Sequence, residues 1–221
     1  MAGFQTKHKM LELFSGMKCI GTVFEQNGYE VTSLDYVQKL NPTICCDILT
    51  WDYKSKFKPG DFDVIWASPD CTTWSIASGG KHRMKSDMIP KTEKAKLGER
   101  LVWKTLEIIA YFKPDAWFIE NPRGLMRHFP PMMKLEKTYH RTTVFYGTYE
   151  WDMVKPTDIW SNIPMWENEK QPIMPQHTYT IKVRSDRERR IYNRTNKGYQ
   201  IMSEIPPKLI ERIYKLDGIP K

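Results

Sequence analysis

Seven short apolar runs, each breaking off into a polar loop, set the terms on which this chain can fold: Met10–Phe14, Tyr29–Leu34, Thr43–Cys46, Phe62–Ala67, Ala116–Ile119, Thr142–Tyr146 and Asp158–Trp160. Runs of this length, apolar with little alternation, read as strands buried on both faces. Helical segments lie between them. Met17–Asn27 is closed by Gly28 as a C-cap, Leu97–Phe112 carries apolar residues at helical spacing, and a short helix, Pro207–Leu216, follows Ile205-Pro206. Strands alternating with helices predict an α/β fold with a mostly parallel sheet and helices on both faces. A chain of 221 residues can bury roughly 70% of its extended surface, so a single domain over residues 1–221 is expected.

In such a sheet, chemistry collects beyond the carboxyl ends of the strands. Ser68-Pro69-Asp70-Cys71-Thr72-Thr73-Trp74-Ser75 follows one run, and Glu120-Asn121-Pro122 follows another. A thiol and an acid on neighbouring strand ends suggest covalent catalysis. Each also has a plainer reading. A cysteine after a buried strand is commonly an inert small hydrophobe, the role expected for Cys45 and Cys46, and Glu120 alone would serve as a capping acid. Cys71 differs because Pro69 stiffens the turn before it, Thr72, Thr73 and Ser75 follow it, and the loop beyond is long and basic.

The first strand runs into the small-residue turn Phe14-Ser15-Gly16, and Asp35 lies 19 residues past Gly16 at the end of the next strand. That arrangement suits a nucleoside-bearing cofactor: glycine admits close backbone approach, and an acid after the second strand can accept from ribose hydroxyls. Asp47-Ile48, at the end of the third strand, could accept from an adenine amino group and pack on its ring, although a strand-end Asp is also a common turn residue. Tyr36, Ser68 and Pro69 flank these positions and are assigned to the cofactor with them.

The formal charge of +8 favours an anionic partner such as nucleic acid. Two basic segments supply much of it. Gly79–Lys96, with Lys81, Arg83, Lys85, Lys91, Lys94 and Lys96, reads as a mobile loop; Lys182–Lys197 includes Arg187, Arg189 and Arg190. Either could instead be a solvated face. The cysteines show no disulfide or zinc spacing and no histidine pair has ligand spacing, so no metal is expected and a reducing cytoplasm is. The polar, basic N-terminus and the lack of a long apolar run predict neither a signal segment nor a membrane span.

Together these motifs resemble the cytosine-5 DNA methyltransferase family, in the short form found in phages. Phe14-Ser15-Gly16 resembles that family's first cofactor motif, and Asp35 and Asp47 fall where it holds ribose and adenine. Pro69-Asp70-Cys71-Thr72-Thr73-Trp74-Ser75 resembles its nucleophile motif and Glu120-Asn121-Pro122 its glutamate motif. Tyr146-Gly147 and Lys155-Pro156-Thr157-Asp158-Ile159-Trp160 resemble its later strand region, so the likeness runs from about Met10 to Asn162. The resemblance implies a Rossmann-like, class I S-adenosylmethionine-dependent methyltransferase acting on a cytosine flipped from duplex DNA in the cytoplasm of a bacterial or phage-infected host. Cys71 would add to position 6 of the base, and Glu120 would hold the ring nitrogen and amine. Ser75, Asn121, Arg123, Lys155, Lys81, Arg83, Arg187, Arg189 and Arg190 are the expected substrate or DNA contacts.

The chain departs from the family pattern in several places. Asp70 stands where a second proline is usual, and would raise the thiol pKa if its carboxylate pointed inward. Lys18 replaces an expected glycine, where it could crowd the cofactor or reach its carboxylate. The family's arginine pair is missing from the later strand; Lys155 or Arg123 could substitute. In place of a large target-recognition domain, residues 163–203 form a small basic insertion, which predicts short or relaxed sequence specificity. Two other functions fit parts of the pattern. Ser68-Pro69-Asp70-Cys71 loosely resembles the motif of enzymes that methylate exocyclic amines, and Asp70 with Lys18 would suit a weak or inactive DNA-binding relative.

Overall fold

The computed structural model describes residues 7–76, 80–84, 88–151, 154–170 and 204–221. All seven apolar runs are strands: β1 (Lys9–Leu13), β2 (Glu30–Asp35), β3 (Ile44–Cys45), β4 (Val64–Ala67), β5 (Ala116–Pro122), β6 (His140–Phe145) and β7 (Pro156–Ser161). They form one sheet in the order β3-β2-β1-β4-β5-β7-β6. The first five strands are mutually parallel, and β7 runs antiparallel to both β5 and β6. Order reverses between β1 and β4, so the carboxyl ends of β1, β2, β4 and β5 open onto one crevice.

Among the described residues, four α-helices, α1 (Cys19–Gln26), α2 (Glu93–Phe112), α3 (Pro130–Leu135) and α4 (Pro207–Tyr214), cover the sheet. Alternation along the strands sorts the core into two layers. Leu11, Leu13, Ile65, Ala67, Trp117 and Ile119 pack with α2 and α3; Met10, Val64, Trp66, Ala116 and Phe118 pack with α1 and α4. Both faces being covered is why these strands read as unbroken apolar runs.

The differences from expectation lie at element ends. Helix α2 starts at Glu93 rather than Leu97, because the Thr92 hydroxyl accepts from the Ala95 amide at 3.2 Å. Lys94 and Lys96 therefore sit on a helix, not in a loop. Helix α3 has two prolines in its first turn, where the missing N–H groups cost nothing, and this Pro-Pro pair gave no helical signal in the sequence. Cys45, expected to be buried, is exposed, and Cys46 is half-buried.

The outer edge of β6 is not left open. The Thr143 amide donates to Asn168 Oδ1 at 2.7 Å, the Phe145 amide to Glu169 Oε2 at 2.9 Å, and the Glu169 amide to the Thr143 carbonyl at 3.0 Å. Arg212 of α4 reaches the same place, bonding Glu169 Oε1 at 3.2 Å with its guanidinium 3.8 Å from the Trp166 ring centroid. Of the insertion expected at 163–203, residues 171–203, with Arg187, Arg189 and Arg190, lie outside the described residues. Among the described residues, no helix is long and apolar enough to cross a membrane, and no group of three or more His, Cys, Asp or Glu could hold a metal ion.

Candidate active site

The chain leaves β1 through a turn in which Phe14, Gly16 and Lys18 all have positive φ, at 57°, 47° and 58°. Glycine adopts this freely, whereas a lysine there carries a strain of roughly 1–2 kcal/mol, which explains why a glycine is the expected residue at position 18. The Lys18 ammonium donates to the Asn41 carbonyl. Asp35, at the end of β2, accepts from the Gly16 amide through Oδ2 and from the Val37 amide through Oδ1, each at 2.9 Å. This ties the turn to the neighbouring strand end, and each carboxylate oxygen keeps a further acceptor lone pair.

Around that turn lie groups suited to a nucleoside. The Ser15 hydroxyl is buried with no hydrogen-bond partner. The Tyr36 ring is 76% exposed, and Ile48 is buried. Asp47 is exposed, with Oδ1 accepting from the Leu49 amide at 2.9 Å, so it is also a turn-forming residue. Ser68 closes the crevice beside β1: its amide donates to the Leu13 carbonyl at 3.3 Å, while its hydroxyl accepts from Trp66 Nε1 at 2.9 Å. An acceptor-rich acid, an exposed ring and an orphaned hydroxyl together fit a ribose, a purine and its polar substituents.

The thiol and the acid arise from adjacent parallel strands, β4 and β5, whose mutual pairing stops at Ala67 and Ile119; Glu120 is still within β5, opposite Ile159 of β7. Asn121 Nδ2 donates to the buried Pro69 carbonyl at 2.9 Å and so binds the residue after the acid to the turn before the thiol. That turn is closed by the Trp74 and Ser75 amides, which donate to the Cys71 carbonyl at 3.0 and 3.1 Å. Cys71 itself is exposed. Its thiol is nonetheless pushed above the usual range, first by desolvation from the surrounding protein, then by the Glu120 and Asp70 carboxylates, with Lys155 acting in the opposite direction. Asp70 faces solvent, held by the Thr72 amide and hydroxyl and 4.0 Å from Lys94 Nζ. The acid at this position thus disfavours the thiolate, but only as the third cause.

Glu120 is 6% exposed, and its Oε1 accepts from the Tyr146 hydroxyl at 3.2 Å. Tyr146 is fully buried, and desolvation, followed by the Glu120 charge, holds its hydroxyl in the protonated, donating form. Lys155, half-buried just ahead of β7, places its ammonium 4.6 Å from the Tyr146 ring centroid. Sequence reasoning took Tyr146 only as part of a strand; its link to Glu120 depends on how β6 and β7 fold back on β5. Lys81 and Arg123 are exposed. Arg83 is not. Its guanidinium is buried against Trp74 and bonded to protein oxygens, so the expectation that it contacts DNA is corrected: a phosphate could not reach it without opening that packing.

The model of the C-5 cytosine-specific DNA methylase family matches residues 8–134, which include the cofactor turn, Cys71 and Glu120. This chain belongs to that family. A curated relative from Frog virus 3 (isolate Goorha), named "Probable DNA (cytosine-5)-methyltransferase", is 30% identical over 165 residues, covering 70% of this chain and 71% of its own length. The solved structure of the Entamoeba histolytica methyltransferase EhMeth aligns with a TM-score of 0.51 at 15% identity, over 77% of this chain and 58% of that one, which makes the fold Rossmann-like in the manner of methyltransferases. The Dnmt2 methyltransferase of S. pombe aligns at 0.48 and 14%, over 73% of this chain and 52% of that one. The methylase chain described here thus spans little more than half the length of these two solved structures. Tyr146 and Lys155 lie beyond the part matched by the family model.

Proposed function

We propose that this chain methylates position 5 of cytosine in DNA, with S-adenosylmethionine as cofactor. The observation that supports this best is the pairing of the two strand ends: Asn121 bound to the Pro69 carbonyl sets Cys71 close enough to Glu120 for the two charges to oppose each other. The cofactor, held by Phe14, Ser15, Gly16, Asp35, Tyr36, Asp47, Ile48, Ser68 and Pro69, supplies an electrophilic methyl group when bound. Position 5 of cytosine is a poor nucleophile, so the Cys71 thiolate first adds to position 6 of a base turned out of the duplex. Glu120 hydrogen-bonds the ring nitrogen at position 3 and the exocyclic amine, stabilising the charge that develops. The Tyr146 hydroxyl fixes the orientation of that carboxyl group. Once position 5 carries the methyl group, its proton leaves and Cys71 departs by β-elimination, restoring the aromatic ring.

Lys155 acts as a cation of this site: it favours the thiolate against burial, Glu120 and Asp70. Lys81, Arg123 and the basic segment with Arg187, Arg189 and Arg190 are assigned to the phosphate backbone. If they neutralise six phosphates, affinity falls roughly as the fifth power of salt concentration. DNA containing 5-fluorocytosine tests the reading. The wild-type chain should form a covalent adduct in the presence of S-adenosylmethionine, lost in Cys71→Ala; methyl transfer persisting in Cys71→Ala would overturn it.

A further inference from the structure

Among the described cations of the first basic segment, Arg83 alone is drawn into the core, 1% exposed. Its guanidinium carbon lies 3.6 Å from the Trp74 ring centroid. Nε donates to the Thr73 carbonyl at 3.3 Å, one terminal nitrogen to the Met88 carbonyl at 3.3 Å and to Glu99 Oε1 at 2.6 Å, and the other to the Ala95 carbonyl at 3.0 Å. Four of its five donors are thereby used, which offsets the cost of burying the charge. Two of the acceptors, Ala95 and Glu99, belong to the 20-residue helix α2, and Gly98 on the same face leaves no space there: a Cβ would stand 2.7 Å from Thr73 Oγ1 and 3.7 Å from the Arg83 guanidinium.

Trp74, the plate on which Arg83 stacks, touches both halves of the active site. Its amide closes the turn onto the Cys71 carbonyl at 3.0 Å, and its own carbonyl accepts from the Leu125 amide at 2.7 Å, just beyond the end of β5. Gly124 is pressed so closely against that carbonyl that a Cβ would lie 2.4 Å from it. The ring also meets Phe129, with centroids 5.0 Å apart. The thiol turn is therefore gripped between α2, through Arg83, and the exit of the strand that carries Glu120.

We propose that Arg83 is a positioning residue for the nucleophile: acting through Trp74 and Thr73, it holds the Cys71 turn in register with Glu120. The assignment rests on the cytosine-5 reading above, and assigns no contact with DNA to Arg83. A lysine in its place could neither fork between Glu99 and three carbonyls nor stack on the indole as a plane. A displaced thiol loses reaction geometry, for which a shift of about 1 Å can cost two orders of magnitude in rate.

The test uses Arg83→Lys in the full chain, with Arg83→Met as the harsher variant, and three readouts per folded molecule. Single-turnover methylation should fall roughly 10- to 100-fold with little change in S-adenosylmethionine affinity, since the cofactor turn lies on β1 and β2. Alkylation of Cys71 by iodoacetamide, followed by peptide mass spectrometry with Cys45 as internal reference, should move the other way and become faster as the released turn escapes its desolvating surroundings. A merely structural role would lower the melting temperature and leave both rates per folded molecule as in wild type, which would overturn the proposal. So would a raised DNA KM with a shallower salt dependence at unchanged kcat, the signature of a phosphate contact. If the wild type forms no adduct with 5-fluorocytosine DNA, the cytosine-5 reading fails, yet the alkylation ratio still decides whether Arg83 sets the exposure of Cys71.

Discussion

Glu12 lies in the middle of β1, 2% exposed, and burial raises its carboxyl pKa from 4.5 to about 8, against the opposing pull of the Gly21 and Ile20 amides at the start of α1. Oε2 has no hydrogen-bond partner, and Gly21 is packed so near that a Cβ would come within 2.6 Å of it. Because the folded protein binds this proton more tightly than the unfolded chain, the group's contribution is fully present below pH 4.5 and is lost as pH rises through about 8. A gap of roughly 3.5 units is worth about 5 kcal/mol at about 1.36 kcal/mol per unit. Of this, about 3 kcal/mol falls between roughly pH 6 and 9. For a domain of this size that corresponds to a melting point about 5–10 °C lower at the alkaline end. Glu12→Gln cannot ionise, so its melting temperature should vary less over that range by the same amount. Its unpartnered amide adds a penalty independent of pH, so the slopes carry the comparison, not the levels. Calorimetry of both proteins across the range measures this; parallel slopes would refute the buried, proton-holding Glu12.

Two further outcomes follow from the site. Lys155→Met removes the cation that opposes burial, Glu120 and Asp70 at Cys71; the pH profile of Cys71 alkylation should move to higher pH, and Lys155→Arg should restore it, whereas an unmoved profile would remove Lys155 from the site. Tyr146→Phe deletes the hydroxyl that orients Glu120, and loss of a hydrogen bond worth about 1–2 kcal/mol predicts methylation slower by roughly 5- to 30-fold with unchanged cofactor affinity, read by single-turnover kinetics.

The sheet was legible because its strands are buried on both sides: once helices cover both faces, the chain must write apolar residues without interruption, as in Val64-Ile65-Trp66-Ala67. The site was legible for the opposite reason, since Glu120 follows directly where one apolar run stops and Cys71 follows the short turn Ser68-Pro69-Asp70 after another. Arg83 was not. Nothing local distinguishes it from Lys81 or Lys91, and its burial depends on Trp74, nine residues back, and Glu99, sixteen ahead, meeting across a turn and a helix. The strain at Lys18 was equally hidden, because a left-handed backbone leaves a trace in sequence only when glycine occupies it. Helix α3, with six residues and prolines at its start, gave the periodicity too little length to register.

The seal on β6 bears on what holds helix α4 in place. Asn168 and Glu169 occupy two amides of the edge strand, those of Thr143 and Phe145, while Arg212, after residues 171–203 in the chain, is fastened to Glu169 and Trp166. Glu169, ahead of the intervening segment, and Arg212, after it, are thus joined at the outer edge of β6. Breaking that contact, as in Arg212→Ala, would therefore release helix α4 from the outer edge of the sheet while leaving the thiol and the acid on their own strands.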